Sequence, residues 1–228
     1  MRMRENLEKV RRKISAAALQ AGRDPAAIRM LMVSKTQPLV RIEEAYQEGQ
    51  RLFAENRIQE WRAKAPQLPE DCEWHFIGRI QLNKVKYLDR SMALIHSLDR
   101  FELLRELERQ GRQQDYTWTA LIQVNIADDS AKAGLATQEV KDFLEILPDY
   151  PHVRVTGLMT IGRWGASEKD ARQVFRELRL RREAWQKQAP PGIFLRELSM
   201  GMSADYEIAV KEGASIVRIG REIFEGLD

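Results

Sequence analysis

Short runs rich in β-branched, aromatic and leucine residues alternate with helix-period segments along the whole chain, and this alternation limits the fold more than any other feature. The runs are RMLMVSK (29–35), RLFAE (51–55), EWHFIG (73–78), ALIHSL (93–98), TALIQVNI (119–126), RVTGLMTI (154–161), FLRELSMG (194–201) and SIVRIG (215–220). Largely apolar runs of this length read as parallel strands buried on both faces. About eight strands, each but the last clearly followed by a helical stretch, predict an α/β fold, a single (β/α)8 TIM barrel. A doubly wound open sheet is the rival, and the strand count favours the barrel. An extra amphipathic helix over residues 3–21 precedes the first strand. The 228 residues suit one domain, 1–228, and PPG (190–192) reads as a loop before the seventh strand.

Helix boundaries carry their own signals. Asp99 is expected to cap FELLRELERQ, with Glu102 three residues on and Gly111 as the stop. Thr137 is expected to cap QEVKDFLEIL, ended by Pro148, and Ser203 to cap ADYEIAVKE, ended by Gly213. Pro38 sits just inside the start of the helix after Lys35.

Charge and composition exclude several function classes. Lysine plus arginine (37) barely exceeds aspartate plus glutamate (34), a formal charge of +3. The basic stretch RQVFRELRLRREAWQK (172–187) interleaves acids and repeats Val174, Phe175 and Leu178 at helical spacing, so it reads as a solvated helix face and not a nucleic-acid patch. No apolar run reaches the ~18 residues that would span a bilayer, and MRMRENLEKVRRK has no apolar secretory core. Cys72 is the sole cysteine. A cytoplasmic protein without membrane or nucleic-acid partners is expected.

In a barrel, chemistry gathers at the C-terminal ends of the strands. Those ends are polar here: Ser34-Lys35-Thr36, Glu55-Asn56, Gly78 followed by Gln81, Asn83 and Lys84, then Asn125, Met159-Thr160, Ser199 with Gly201 and Ser203, and Arg218 with Gly220. A lysine partly desolvated at such an end is more readily neutral, as Schiff-base formation needs; a lysine reaching solvent, or paired with Glu55, is the alternative. Ser203, Gly201 and Gly220 could cradle a phosphate, and a capping serine with turn glycines is the alternative. Arg218 in an apolar strand meets either a carboxylate or a ligand. His75 reads as a satisfied core histidine, His96 and His152 carry no pattern, and a metal site has little support. No GxSxG, P-loop or GxGxxG fingerprint is present.

These stretches closely resemble the pyridoxal phosphate homeostasis proteins, relatives of the N-terminal barrel of alanine racemase. The resemblance runs in order through VSKT (33–36), FAENRIQE (53–60), WHFIGRIQLNK (74–84), QVNIADDSAKAG (123–134), GLMTIG (157–162), LSMGMSADYEIAV (198–210) and VRIGREIF (217–224). It implies pyridoxal 5'-phosphate (PLP) held as a Schiff base on Lys35. It implies a phosphate site at Ser203, Gly220 and the amide of Arg221, with Arg218 at the pyridine nitrogen. Asn56 and Met200, Gly201 and Met202 would line the pocket, with Asn125, Met159 and Ser199 as wall residues. Arg221 stands where a small residue, usually threonine, often follows the glycine, so it either replaces a phosphate-binding hydroxyl or swings outward. Ala54 and Glu225 stand where glycines are common.

An arginine at the pyridine nitrogen disfavours its protonation and weakens the cofactor as an electron sink. Racemases of this barrel type add a second domain, whereas this chain ends eight residues after Gly220. The resemblance therefore implies a monomeric carrier that buffers PLP and supplies PLP-dependent apoenzymes, and not an enzyme of vigorous turnover. A low-activity PLP-dependent amino-acid racemase is the alternative. A cofactor-free Schiff-base aldolase or other phosphate-binding barrel is a third reading. Whether Lys84 or Lys132 serves as a second amine is open.

Overall fold

The computed structural model describes residues 2–126, 133–162 and 165–227. Helix α1 (Arg2–Gln20) buries Met3, Leu7, Val10, Ile14, Ala17 and Ala18, an apolar stripe at three- and four-residue spacing. Eight parallel strands follow: β1 (Arg29–Val33), β2 (Leu52–Glu55), β3 (Glu73–Phe76), β4 (Met92–Leu98), β5 (Trp118–Gln123), β6 (Val153–Met159), β7 (Glu197–Met202) and β8 (Ile216–Ile219). They close into a barrel in chain order, β8 returning to β1 with Leu31 opposite Arg218. The helices between them are α2 (Leu39–Gln47), α3 (Ile58–Lys64), α4 (Phe101–Gln114), α5 (Glu139–Ile146), α6 (Glu168–Gln188) and α7 (Tyr206–Lys211), and α8 (Arg221–Phe224) follows β8. The expected TIM barrel with an added N-terminal helix is therefore the observed fold, with α1 packed on α7 and α8.

Side-chain parity sorts the strands into two cores. Leu31, Val33, Ala54, Leu94, Leu121, Met159 and Ile216 fill the barrel interior. The alternate positions, among them Phe53, Trp74, Ile95, Trp118 and Met200, meet the helix layer. Burial on both faces is what made the strands legible as apolar runs.

Local chemistry shifts several boundaries. The seventh strand begins at Glu197, not at Phe194, because the Gln186 side chain takes the main-chain groups of Ile193 and Leu195, holding them outside the ladder. Asp99 does not cap α4: its carboxylate goes to Arg79 and Arg100, and Arg100 is the capping residue. Gly111 does not end α4. A Cβ there would lie 2.6 Å from that of His152, so this glycine permits close packing inside the helix. The helix runs on until Asp115 turns left-handed at φ 47°. Thr137 gives way to Gln138 as the α5 cap, and Pro38 is the residue just before α2. Ser203 does not cap α7; Asp205 takes that place, its carboxylate accepting the Met202 amide at 2.6 Å. The 172–187 stretch lies within α6 with Phe175, Leu178 and Trp185 buried.

Candidate functional site

At the C-terminal mouth the chain builds a lysine, a serine–glycine pair and a buried arginine from three neighbouring strands. Lys35 follows β1 at an inward parity position and is exposed, so the expected partial burial is not found. It is not paired with Glu55 either. Glu55 is buried and receives Lys64 Nζ at 2.6 Å and the Ser34 hydroxyl at 2.9 Å. Lys64 also donates to the Ser34 carbonyl at 3.1 Å. Burial is the main cause raising the Glu55 carboxyl above its usual range, with Lys64 opposing it. On the other side of Lys35, Thr36 holds φ 63°, a left-handed conformation uncommon for a side-chain-bearing residue. Its amide donates to Glu60 at 3.3 Å. Ser34 and Thr36 thus fix the backbone around Lys35, leaving its side chain exposed.

Ser203 and Gly220 are brought together: the Gly220 amide donates to Ser203 Oγ at 3.4 Å, tying the loops after β7 and β8. A Cβ at Gly220 would lie 3.1 Å from the Val33 carbonyl, so the loop after β8 packs against the end of β1. Gly201, at φ 91°, would carry a Cβ 2.5 Å from that of Ala209, so only glycine lets the β7 end lie against α7. Arg221 opens α8, is exposed, and makes no side-chain hydrogen bond or ion pair among the described residues.

Arg218 is buried, with 4% of its surface exposed. Nη1 donates to Ser199 Oγ at 2.7 Å and Nη2 to the Thr160 carbonyl at 2.8 Å. Both partners are neutral, so among the described residues no ion pair compensates this cation. Burial lowers its pKa to about 10, and the field of Asp205 opposes that fall, so it stays charged at neutral pH. Ser199 is wholly buried behind Arg218, its hydroxyl shared with His96. Met200 turns its side chain into the helix-facing core, so only its main chain can reach the mouth. Asn56 is half-buried after β2, and Gly78 lets the end of β3 pass its carbonyl, where a Cβ would lie at 2.1 Å. Met159 lies in the interior plug. Met202 and Asn125 are half-buried at their strand ends. Lys84 lies beside the Tyr87 ring, 5.6 Å from its centroid, and Lys132 lies outside the described residues.

The family model "Alanine racemase, N-terminal domain" matches residues 2–226. A protein of Aquifex aeolicus named pyridoxal phosphate homeostasis protein is 41% identical over 221 residues, covering 96% of each chain. One of Escherichia coli with the same name is 36% identical over 227 residues, covering 98% of this chain and 96% of that protein. The chain belongs to the pyridoxal phosphate homeostasis protein family. Its fold matches that of a solved relative, PipY of Synechococcus elongatus with PLP bound. The TM-score is 0.86 at 33% identity, over 97% of this chain and 99% of that one. Alanine racemase of Corynebacterium glutamicum shares the fold at 14% identity and TM-score 0.70, this chain spanning 64% of its length.

Family membership gives the mouth its context. Sequence reasoning missed what stands behind it, the His75–His96–Ser199 file that runs down the barrel from Arg218. Inward parity on adjacent strands was the signal: His75 follows Glu73 by two, and His96 follows Leu94 by two, on strands that pair.

Proposed function

We propose that this protein holds pyridoxal 5'-phosphate on Lys35 and passes it to PLP-dependent apoenzymes, as a cytoplasmic monomer whose residues 1–228 act as one cofactor-binding domain. The observation that carries this reading is the convergence, at one mouth, of an open lysine, a hydroxyl–amide pair and a buried guanidinium with neutral partners. The names of the relatives and the PLP bound to PipY support it. The residues fit the group chemically. Lys35 Nζ would hold the aldehyde carbon covalently. Ser203, Gly220 and the Arg221 amide would take the phosphate, and Arg218 would donate to the pyridine nitrogen. Asn56, Gly201 and Met202 would flank the ring, and Met200 would contribute its main chain.

Bound PLP serves as an electron sink to the extent that its pyridine nitrogen accepts charge. Arg218, a cation that only donates, disfavours a second positive charge there and keeps that sink shallow. The three histidines are engaged elsewhere: His75 and His96 with one another, His152 with Glu108 at 2.9 Å. No imidazole is left to move protons beside Lys35. General acid–base help contributes ~10²–10⁴-fold, so racemisation is expected to be feeble. Among the described residues no helix is long and apolar enough to cross a membrane.

The test is a paired assay on loaded protein. It should restore activity to a cofactor-depleted aminotransferase while showing negligible turnover of free amino acids. A kcat in the range ~1–10³ s⁻¹ on any amino acid would replace this reading with the racemase.

The phosphate site makes a separate prediction. Pyridoxal without its phosphate should bind far more weakly than PLP. Arg221→Ala keeps the amide assigned to the phosphate and removes a side chain that is exposed and without partners among the described residues, so it should change PLP affinity little. Equilibrium titration with both ligands checks this; equal affinities would move the phosphate elsewhere.

A further inference from the structure

The barrel interior holds a polar file that the cofactor contacts alone do not require. Inward positions of β8, β7, β4 and β3 align Arg218, Ser199, His96, His75 and Glu73. Arg218 Nη1 lies 2.7 Å from Ser199 Oγ, and Ser199 Oγ lies 2.9 Å from His96 Nδ1. His96 Nε2 lies 2.8 Å from His75 Nδ1, and His75 Nε2 lies 2.9 Å from Glu73 Oε1. Arg29 donates to the same Glu73 oxygen at 2.5 Å, and its Nη2 lies 3.5 Å from His75 Nε2. Arg29 and Glu73 line a cavity of about 420 Å³ at the N-terminal end of the barrel, with Thr119, Arg154, Arg196 and Glu197. The file therefore runs from one mouth of the barrel to the other.

Hydrogen-bond chemistry fixes its polarity. A guanidinium only donates, so Ser199 accepts from Arg218 and directs its hydroxyl proton to His96 Nδ1. Neutral His96 then carries its proton on Nε2 and donates to His75 Nδ1. His75 likewise donates from Nε2 to Glu73. The reverse polarity would set the lone pair of His75 Nε2 against the Glu73 carboxylate. A second proton on His75 would set two N–H groups against each other at His96. Burial disfavours the charged form of both rings. The His75 hydrogen bond, with Arg29 adding to it, lowers Glu73 to about 2 and keeps it anionic.

We infer that His96, through Ser199, is a positioning residue for Arg218, and that the one-way chain ending on Glu73 locks the guanidinium in the orientation that meets the pyridine nitrogen. The last clause rests on the cofactor reading above; the locked guanidinium does not. An uncompensated buried arginine has rotational freedom about Nε–Cζ unless acceptors hold both Nη groups. Thr160 holds Nη2. Ser199 holds Nη1 only while its own proton has an acceptor, and His96 Nδ1 is that acceptor.

Two measurements test this. In cofactor-free protein, ¹⁵N NMR should show His75 and His96 neutral with the proton on Nε2, and resolved Arg218 Nη signals. In His96→Leu the Nη signals should average through rotation; in His96→Asn, which keeps an acceptor oxygen facing Ser199, they should stay resolved. Ser199→Ala serves as the second disrupting variant should His96→Leu fail to fold. In loaded protein, His96→Leu or Ser199→Ala should shift the cofactor's visible band and weaken PLP about tenfold, and His96→Asn should restore both. Nδ1-protonated or charged imidazoles in the wild type would overturn the inference. So would Arg218 signals that stay resolved in a folded His96→Leu or Ser199→Ala variant. If wild-type protein shows no visible band with PLP, the cofactor reading fails, and the NMR results alone decide the positioning role.

Discussion

Lys35→Ala should load no covalent cofactor, show no visible band with PLP, and fail to rescue an apo-aminotransferase. Lys35 is exposed and makes no ion pair among the described residues, so the fold should not notice its loss. A stability change within about 0.5 kcal/mol is expected, as at surface positions without special contacts. The Ser203–Gly220 pair and Arg218 remain, so PLP should still bind weakly, at least about a hundredfold less tightly, each tenfold being about 1.4 kcal/mol. Equilibrium dialysis beside a urea melt separates the two effects. Wild-type affinity in Lys35→Ala would show that another amine carries the cofactor.

Lys64→Met should destabilise the fold by about 3–5 kcal/mol at neutral pH, the usual consequence of stranding one member of a buried pair. Glu55 is fully buried, and among the described residues its Oε2 has no partner and Lys64 supplies the one cation on Oε1. The pH dependence follows from the direction of the Glu55 shift. Burial raises its folded pKa above the unfolded value, so the protonated form is favoured in the fold and stability falls as rising pH ionises it. Lys64 offsets that fall. Without it the folded pKa rises further, so the deficit should be largest near pH 7 and shrink on acidification toward pH 5. Urea unfolding at both pH values checks this. A deficit below about 1 kcal/mol, or one unchanged with pH, would mean that Lys64 matters little to Glu55. Because Lys64 also anchors the Ser34 carbonyl beside Lys35, cofactor affinity should fall in the same variant.

The barrel was legible because its strands are buried on both faces, which writes them as apolar runs without alternation. Strand ends were legible for the opposite reason: polar residues at Lys35, Asn56, Ser203 and Arg218 break those runs. Helix termini were harder. Asp99 and Gly111 carry the local signature of a cap and a stop, yet Arg79 with Arg100 and the close approach of His152 redirect them. Capping preferences amount to about 1 kcal/mol, which a single tertiary ion pair or packing contact can override. Ser203 is a similar case, its hydroxyl meeting the Gly220 amide across the mouth instead of the helix that follows it. The histidine file was hidden for a different reason. His75 and His96 are separated in the chain by the whole connection from β3 to β4, and only the parallel pairing of those strands sets their rings 5.0 Å apart. Exposure of Lys35 could not be read from its strand either, since it depends on where the neighbouring loops stop.

Borohydride reduction of the wild-type protein incubated with PLP, followed by peptide mapping, tests the central claim most directly. The account predicts a visible band that disappears on reduction and a pyridoxyl group fixed on Lys35 in the peptide containing VSKT (33–36). A pyridoxyl group found mainly on Lys84 or Lys132, or no adduct at all, would contradict it.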